Sequence, residues 1–261
     1  MIVSVDAQHD WRSVFEQTYS RSPSRVAEQV WRGVFGDEYP VGVDPFSLIS
    51  RSELERIAVE VHVGEGATIA DLGCGRGGPG LWVAMATGAR LIGVDIAAQA
   101  VEAARERARA IGLEGRAEFR QGTFEATALT AGSVEAVMSV DALLFAPDKR
   151  AALKEFRRLL PPGGRLVFTS WDYHDQPDGR PPQLDDHRPV LDAVGFDVLA
   201  YDETEDWRRR VTETTVGLLE NAGELAAETG EPVEEVRAQL LEMQASEAKM
   251  SRRVLAVAEA R

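Results

Sequence analysis

A chain of 261 residues is long enough to bury a core of its own without disulfide or metal staples. A formal net charge of −14 repels a phosphate backbone, and the basic run Arg208 to Arg210 is too short to offset it, so no nucleic-acid partner is expected. The lone cysteine, Cys74, has no partner for an internal disulfide, no apolar stretch reaches bilayer length, and the N-terminus lacks the basic-then-apolar order of a leader; a cytoplasmic monomer or homodimer without membrane contact is expected.

Residues 1–48 precede the first core strand and carry His9, Trp11, Phe15, Tyr19, Trp31, Phe35 and Tyr39. This aromatic-rich segment reads as an N-terminal helical cap. Ala67 to Leu72 is a short apolar run, hence a buried strand, and Gly73, Gly75 and Gly78 place G-x-G-x-x-G directly behind it. Glycine permits positive φ and close backbone approach there, Pro79 suits a first helical turn, and Leu81 to Ala86 is apolar all round, so a buried helix should point its N-terminus at a ligand. The alternation continues with a strand at Arg90 to Ile96, a helix at Gln99 to Ile111 ended by Gly112, and strands at Ala117 to Gln121 and Val134 to Val140. Lys149 to Leu160 is a helix with Leu153, Phe156 and Leu160 facing inward, stopped by Pro161 to Gly164. Arg165 to Trp171 is a strand, Pro189 to Val194 a short helix, and Phe196 to Tyr201 a further strand. Residues 205–249 read as a helical lid insertion of two helices split near Gly230 and Pro232, before a closing strand at Val254 to Ala258. The pattern is that of an α/β protein with a Rossmann-like, doubly wound, mainly parallel sheet, its core formed by residues 49–204 and 250–261.

Asp95 ends the second strand about 20 residues past the glycine turn, the position from which a carboxylate meets ribose hydroxyls in dinucleotide folds. Nicotinamide cofactors and S-adenosylmethionine share that much. Asp71, just before the first glycine, separates them: an acid there suits a cationic amino-acid tail and repels a pyrophosphate. Four segments then occur in order: ADLGCGRG at Ala70 to Gly77, LIGVDIA at Leu91 to Ala97, AVMSVDALLF at Ala136 to Phe145, and LKEFRRLLPPGGRLVFTSW at Leu153 to Trp171. Together they resemble the class I S-adenosylmethionine-dependent methyltransferases, over roughly Ile49 to Tyr201. The run DHRPVLDAVGF at Asp186 to Phe196 is most similar to bacterial small-molecule and natural-product members.

The resemblance implies a seven-stranded sheet whose last strand is antiparallel, with S-adenosyl-L-methionine as cofactor. It assigns Asp71, Gly73 and Gly75 to the methionine end, Asp95 to the ribose, Ile96 to the adenine face, and Gly122, Thr123 and Phe124 to the adenine edge. Many members have an acid where Thr123 stands, so the chain departs from the pattern there. Ser139 and Asp141 would line the space between cofactor and substrate. Methyl transfer asks mainly for alignment and exclusion of water, and for a general base only if the acceptor must lose a proton. His174 and His187 follow the fifth strand at the ligand-binding edge and are the base candidates, with Asp141 as a further catalytic candidate. Trp31, Phe35, Tyr39, Phe46, Phe145 and Trp171 are expected around an apolar acceptor, and no metal-ligand spacing occurs. The expected activity is methyl transfer to oxygen, carbon or nitrogen of a small, largely apolar metabolite in secondary metabolism. A cyclisation with an intact cofactor is the alternative, and a nicotinamide oxidoreductase a more distant one.

Overall fold

The computed structural model describes residues 10–43 and 46–261; His9 lies outside the described residues. Among the described residues, three α-helices precede the sheet: α1 (Trp11–Tyr19), α2 (Arg25–Phe35) and α3 (Arg51–Glu60). Side chains cap each of them. Asp10 accepts from the Ser13 N–H, Ser24 from the Ala27 N–H, and Ser50 with Glu53 forms a reciprocal capping box at α3.

The core then runs β1 (Thr68–Leu72), α4 (Gly78–Thr87), β2 (Arg90–Asp95), α5 (Ala98–Ala110), β3 (Ala117–Gln121), β4 (Ala136–Val140), α6 (Lys149–Leu159), β5 (Arg165–Tyr173), α7 (Arg188–Ala193) and β6 (Phe196–Glu203). The helical insertion holds α8 (Trp207–Glu220), α9 (Ala222–Thr229) and α10 (Val233–Glu247), and β7 (Met250–Ala260) closes the chain. The seven strands lie in the order β3-β2-β1-β4-β5-β7-β6; β7 runs antiparallel to both β5 and β6, and the other pairings are parallel. This is the doubly wound sheet expected from the sequence.

Alternate residues along the strands serve opposite faces. Ala70, Val137, Leu166, Phe168, Ala256 and Ala258 pack under α6 and α7 with Leu153, Phe156 and Leu191. Ile69, Ala136, Met138, Val167, Leu255 and Val257 pack under α3 and α4 with Leu54, Ile57 and Val83. A β-bulge separates Asp172 from Tyr173 where β5 leaves its pairing with β7.

Three sequence expectations change. The insertion holds three helices, not two, because Asn221 interrupts it as well as Gly230 and Pro232: the Asn221 side chain donates to the Gly217 carbonyl at 2.7 Å and ends α8. The closing strand is longer than Val254 to Ala258 and lies inside the sheet, between β5 and β6. The N-terminal helices and the insertion also form one layer. Val26, Ala27, Val30 and Trp31 of α2 pack with Leu218, Leu225, Val236 and Leu240 of α8 to α10, Arg21 pairs with Glu231 at 2.9 Å, and the Ser24 hydroxyl donates to Glu228 at 2.6 Å.

Candidate functional site

A cavity of about 1300 Å³ opens at the C-terminal ends of β1, β2, β4 and β5 and is roofed by α1, α2, α8, α9 and α10. Ligands bind at this edge of open α/β sheets because loops and helix N-termini converge there with unpaired backbone donors.

The glycine turn forms one end. Gly73, Gly75 and Gly77 have φ of 76°, 52° and 76°, the left-handed region, so Gly77 rather than Gly78 completes the turn, and Gly78 begins α4. A Cβ on Gly73 would lie 2.5 Å from the Ala142 Cβ, and one on Gly75 would lie 2.8 Å from the Tyr19 hydroxyl of the roof. The Arg76 guanidinium donates to the Arg21 carbonyl and lies 5.3 Å from the Tyr19 ring, which ties the roof to the turn.

Two carboxylates stand at this end because β1 and β2 are parallel and in register. Asp71 pairs with Gly93, so Asp95 lies two residues further along the neighbouring strand. The Gly75 N–H donates to Asp95 Oδ2 at 2.8 Å and the Ala97 N–H to Asp95 Oδ1 at 2.9 Å. Asp71 Oδ2 is buried with no hydrogen-bond partner. Burial, and then the charge of Asp95, push the Asp71 carboxyl up to about 7. Ile96, Gly122, Thr123 and Phe124 also line the cavity. Beside them, Thr123 and Ala126 exchange backbone hydrogen bonds across a tight turn that carries Glu125, whose Oε1 is buried and without a partner.

Aromatic side chains surround the other end. Trp31, Phe46, Phe145 and Trp171 line it as expected, joined by Trp11, Phe15 and Tyr19 of α1. Phe15 meets Phe145 edge-on at 4.9 Å between ring centroids, and Trp11 lies 4.8 Å from the same ring. Lys149 fixes the turn bearing Phe145 by donating to the carbonyls of Leu144 and Ala146 at 3.0 and 3.1 Å. Phe35 and Tyr39 do not reach the cavity. Both are buried, with the Arg210 guanidinium over Phe35 and that of Arg32 over Tyr39, because α2 turns that side toward α8 and the chain after it.

Ser139 is also absent from the lining, since its hydroxyl donates to the Leu72 carbonyl at 2.7 Å and holds β4 to β1. Neither histidine lines the cavity. His174 is exposed beside Asp175, and His187 is buried with Nδ1 2.9 Å from Asp172 and 3.1 Å from the Tyr201 hydroxyl. A base must reach the proton that it removes, so the base assignment expected for His174 and His187 is not carried forward. Asp141 does line the cavity, but its carboxylate is committed. It accepts from the Leu48 N–H at 3.1 Å, from the Thr169 hydroxyl at 2.9 Å and from Arg253 at 2.9 and 3.1 Å, and Arg253 also pairs with Glu53 at 2.5 Å. Two charged side chains unanticipated from the sequence complete this end, Arg180 from the loop after β5 and Glu247 from α10.

Residues 70–168 match the family described as "Methyltransferase domain". Methyltransferase GfsG of Streptomyces halstedii is 29% identical over 150 residues, which covers 55% of this chain and 54% of the relative. Sterol 24-C-methyltransferase erg6 of Aspergillus fumigatus is 31% identical over 148 residues, covering 56% and 38%. The chain carries a class I S-adenosylmethionine-dependent methyltransferase domain. It spans about half the length of GfsG and less of the sterol enzyme. In fold, the methyltransferase domain with its helical roof is similar to the cyclase SpnF (TM-score 0.72, 20% identity, 94% of this chain and 95% of that one). It is also similar to geranyl diphosphate C-methyltransferase of Streptomyces coelicolor (TM-score 0.65, 17% identity, 97% and 98%).

S-adenosyl-L-methionine is the cofactor of such domains, and the glycine-turn end of the cavity fits it. The methyltransferase domain has a buried acid at Asp71 with one oxygen unpartnered, which suits a cation; a lone-pair-rich acceptor at Asp95, whose two backbone contacts leave room for hydroxyl donors; and an unpartnered oxygen of Glu125 beside the Gly122 to Phe124 strip. At the glycine-turn end, Glu125 is the residue missed from the sequence. It stands two positions beyond Thr123, and the readable signal was an acid within the same glycine-led turn.

Proposed function

We propose that this chain transfers the methyl group of S-adenosyl-L-methionine to a small, largely apolar metabolite of the kind made in secondary metabolism. One observation carries the reading: a single continuous cavity joins the buried acids of the glycine turn to an aromatic chamber under the helical roof. The names of the sterol relatives and of the geranyl diphosphate enzyme of like fold support an apolar acceptor. No helix among the described residues is long and apolar enough to cross a membrane, and the acidic balance disfavours nucleic acid; a cytoplasmic monomer or homodimer is part of the same proposal.

Asp71 and the glycine-turn backbone would hold the methionine end, Asp95 the ribose, Ile96 the adenine face, and Gly122 to Glu125 the adenine edge. The cofactor supplies an electrophilic methyl group on a positively charged sulfur. The chain's part is alignment and dryness. The rings of Trp31, Phe46, Phe145 and Trp171 orient an apolar acceptor by shape, and α1 with α8 to α10 cover the chamber, so that nucleophile and methyl group meet without competing water. Arg253 acts from behind by holding Asp141 against β5 and Leu48, which fixes the strand end that Phe145 follows.

Calorimetry with S-adenosylhomocysteine tests the cofactor assignment, and transfer of label from methyl-labelled cofactor to extracted apolar metabolites tests the reaction. Binding without transfer across hydroxylated, amine and alkene acceptors would overturn methyl transfer. No binding would overturn the cofactor site.

A further inference from the structure

We propose that the roof end of the cavity is a hydroxyl-recognising subsite in which Glu247 is the general base and Arg180 the oxyanion partner for an acceptor bearing a phenolic or enolic hydroxyl. The proposal rests on the methyltransferase reading and adds the acceptor class and the atom methylated.

Arg180 lines the cavity with its guanidinium 5.1 Å from the Trp11 ring and 5.0 Å from the Phe145 ring. Among the described residues, no carboxylate lies within ion-pair distance of it. A half-buried guanidinium held between two rings keeps its charge but lacks an acceptor for its planar donors. Glu247 lines the same wall from α10. The Thr215 hydroxyl donates to its Oε1 and Oε2 at 2.8 and 3.0 Å, which leaves the remaining lone pairs facing the cavity. Arg180 and Glu247 line the same cavity and, among the described residues, form no ion pair with one another, so both can take a group of the ligand.

That group must donate to a carboxylate and accept from a guanidinium, which a hydroxyl does. Thr214 and Ser246 add small polar side chains to the same wall, their hydroxyl oxygens buried with that of Tyr173 behind them. The groups around Glu247 are Arg180 from the loop after β5, Tyr173 from β5 and Thr215 from α8. Burial raises the Glu247 carboxyl to about 7, while the Thr215 hydroxyl and then Arg180 lower it in part, so it holds a base strength suited to neutral pH. The rings of Trp11, Phe15 and Phe145 along the same wall suit a planar acceptor, hence a phenolic or enolic hydroxyl. In the step, the hydroxyl proton passes to a Glu247 carboxylate oxygen while the oxygen's electron pair forms the new bond to the methyl carbon. The methyl–sulfur bond breaks, and its pair stays on sulfur as a neutral thioether. Arg180 stabilises the oxygen while it is anionic. The site thereby gains the base that neither histidine supplies.

β-Naphthol and its methyl ether probe the subsite without knowledge of the natural acceptor, since naphthol absorption shifts to the red when its hydroxyl donates to a carboxylate. With saturating S-adenosylhomocysteine, the wild-type protein should bind naphthol about tenfold more tightly than the ether, the worth of one charge-assisted hydrogen bond, and show the red-shifted spectrum. Glu247→Gln should remove the shift and Arg180→Met the preference, while both variants bind S-adenosylhomocysteine as the wild type does. The proposal is overturned if wild-type protein loaded with S-adenosylhomocysteine binds both probes equally or neither. It is also overturned if variants that bind S-adenosylhomocysteine keep both the preference and the spectrum. Failure of the wild type to bind S-adenosylhomocysteine at all would instead strike the cofactor reading.

Discussion

Replacing Asp71 with asparagine should stabilise the ligand-free protein at alkaline pH while weakening cofactor binding, an opposition that follows from one buried oxygen. Asp71 sits at the end of β1 with Oδ2 unpartnered, and its carboxyl is raised from an ordinary 3.8 to about 7 by burial and by Asp95. A carboxyl whose folded value lies above its unfolded one favours the folded state fully below the unfolded value, and that advantage is lost as pH rises through the folded value. The relevant window is therefore from about 4 to about 7. Above it, the native state holds a charge that water would hold better. The gap between 3.8 and about 7, at about 1.4 kcal/mol per pH unit, comes to about 4 kcal/mol. An asparagine of the same shape carries no such charge. At about 2 to 4 °C of melting temperature per kcal/mol for a chain of this size, the ligand-free variant should melt roughly 8 to 16 °C above wild type near pH 8, roughly 3 to 7 °C above it near pH 5, and close to it below about pH 4. Adding S-adenosylhomocysteine, whose ammonium group would answer the Asp71 charge, should raise the wild-type melting temperature more than that of Asp71→Asn. Thermal melts from about pH 4 to about pH 9, with and without ligand, read all of this. A variant less stable than wild type at every pH, or a gap that does not change with pH, would refute the reasoning.

Asp95→Ala should lose at least about tenfold in S-adenosylhomocysteine affinity by calorimetry and also melt lower, because the Gly75 and Ala97 N–H groups lose their acceptor at about 1–3 kcal/mol each. Gly77→Ala forces a φ of 76° on alanine and sets its Cβ 3.0 Å from the Phe119 ring; urea unfolding should show a loss of about 1–3 kcal/mol. Arg253→Met leaves Glu53 and Asp141 buried without their cation and should cost about 3–5 kcal/mol in the same assay, most of it recovered when Glu53→Gln and Asp141→Asn are added. His187→Gln should lower the urea midpoint by breaking the buried contact with Asp172 yet leave S-adenosylhomocysteine affinity unchanged; a matching loss of affinity would return His187 to the site.

What the chain's order of residues determines is local. Apolar runs of strand length, glycines where φ turns positive and stops such as Pro161 to Gly164 act within a few residues of themselves, so β1 to β6, their helices and the Asp71–Gly73–Gly75–Asp95 constellation were legible before any coordinates. Even there, the choice between Gly77 and Gly78 waited on the backbone, because both are glycine and only φ tells which one turns. The acceptor end is different in kind. Trp31, Phe35 and Tyr39 are alike as sequence, yet only Trp31 faces the cavity, since the rotation of α2 is set by its packing on α8, nearly two hundred residues away in the chain. His187 looked like a base until Asp172, Arg252 and Tyr201 enclosed it, and Asp141 until Arg253 claimed it across the sheet. Arg180 and Glu247 carry no motif at all. They become a pair only because β7 returns into the sheet and brings the end of α10 over the loop after β5, a long-range closure that packing decides and no local pattern records.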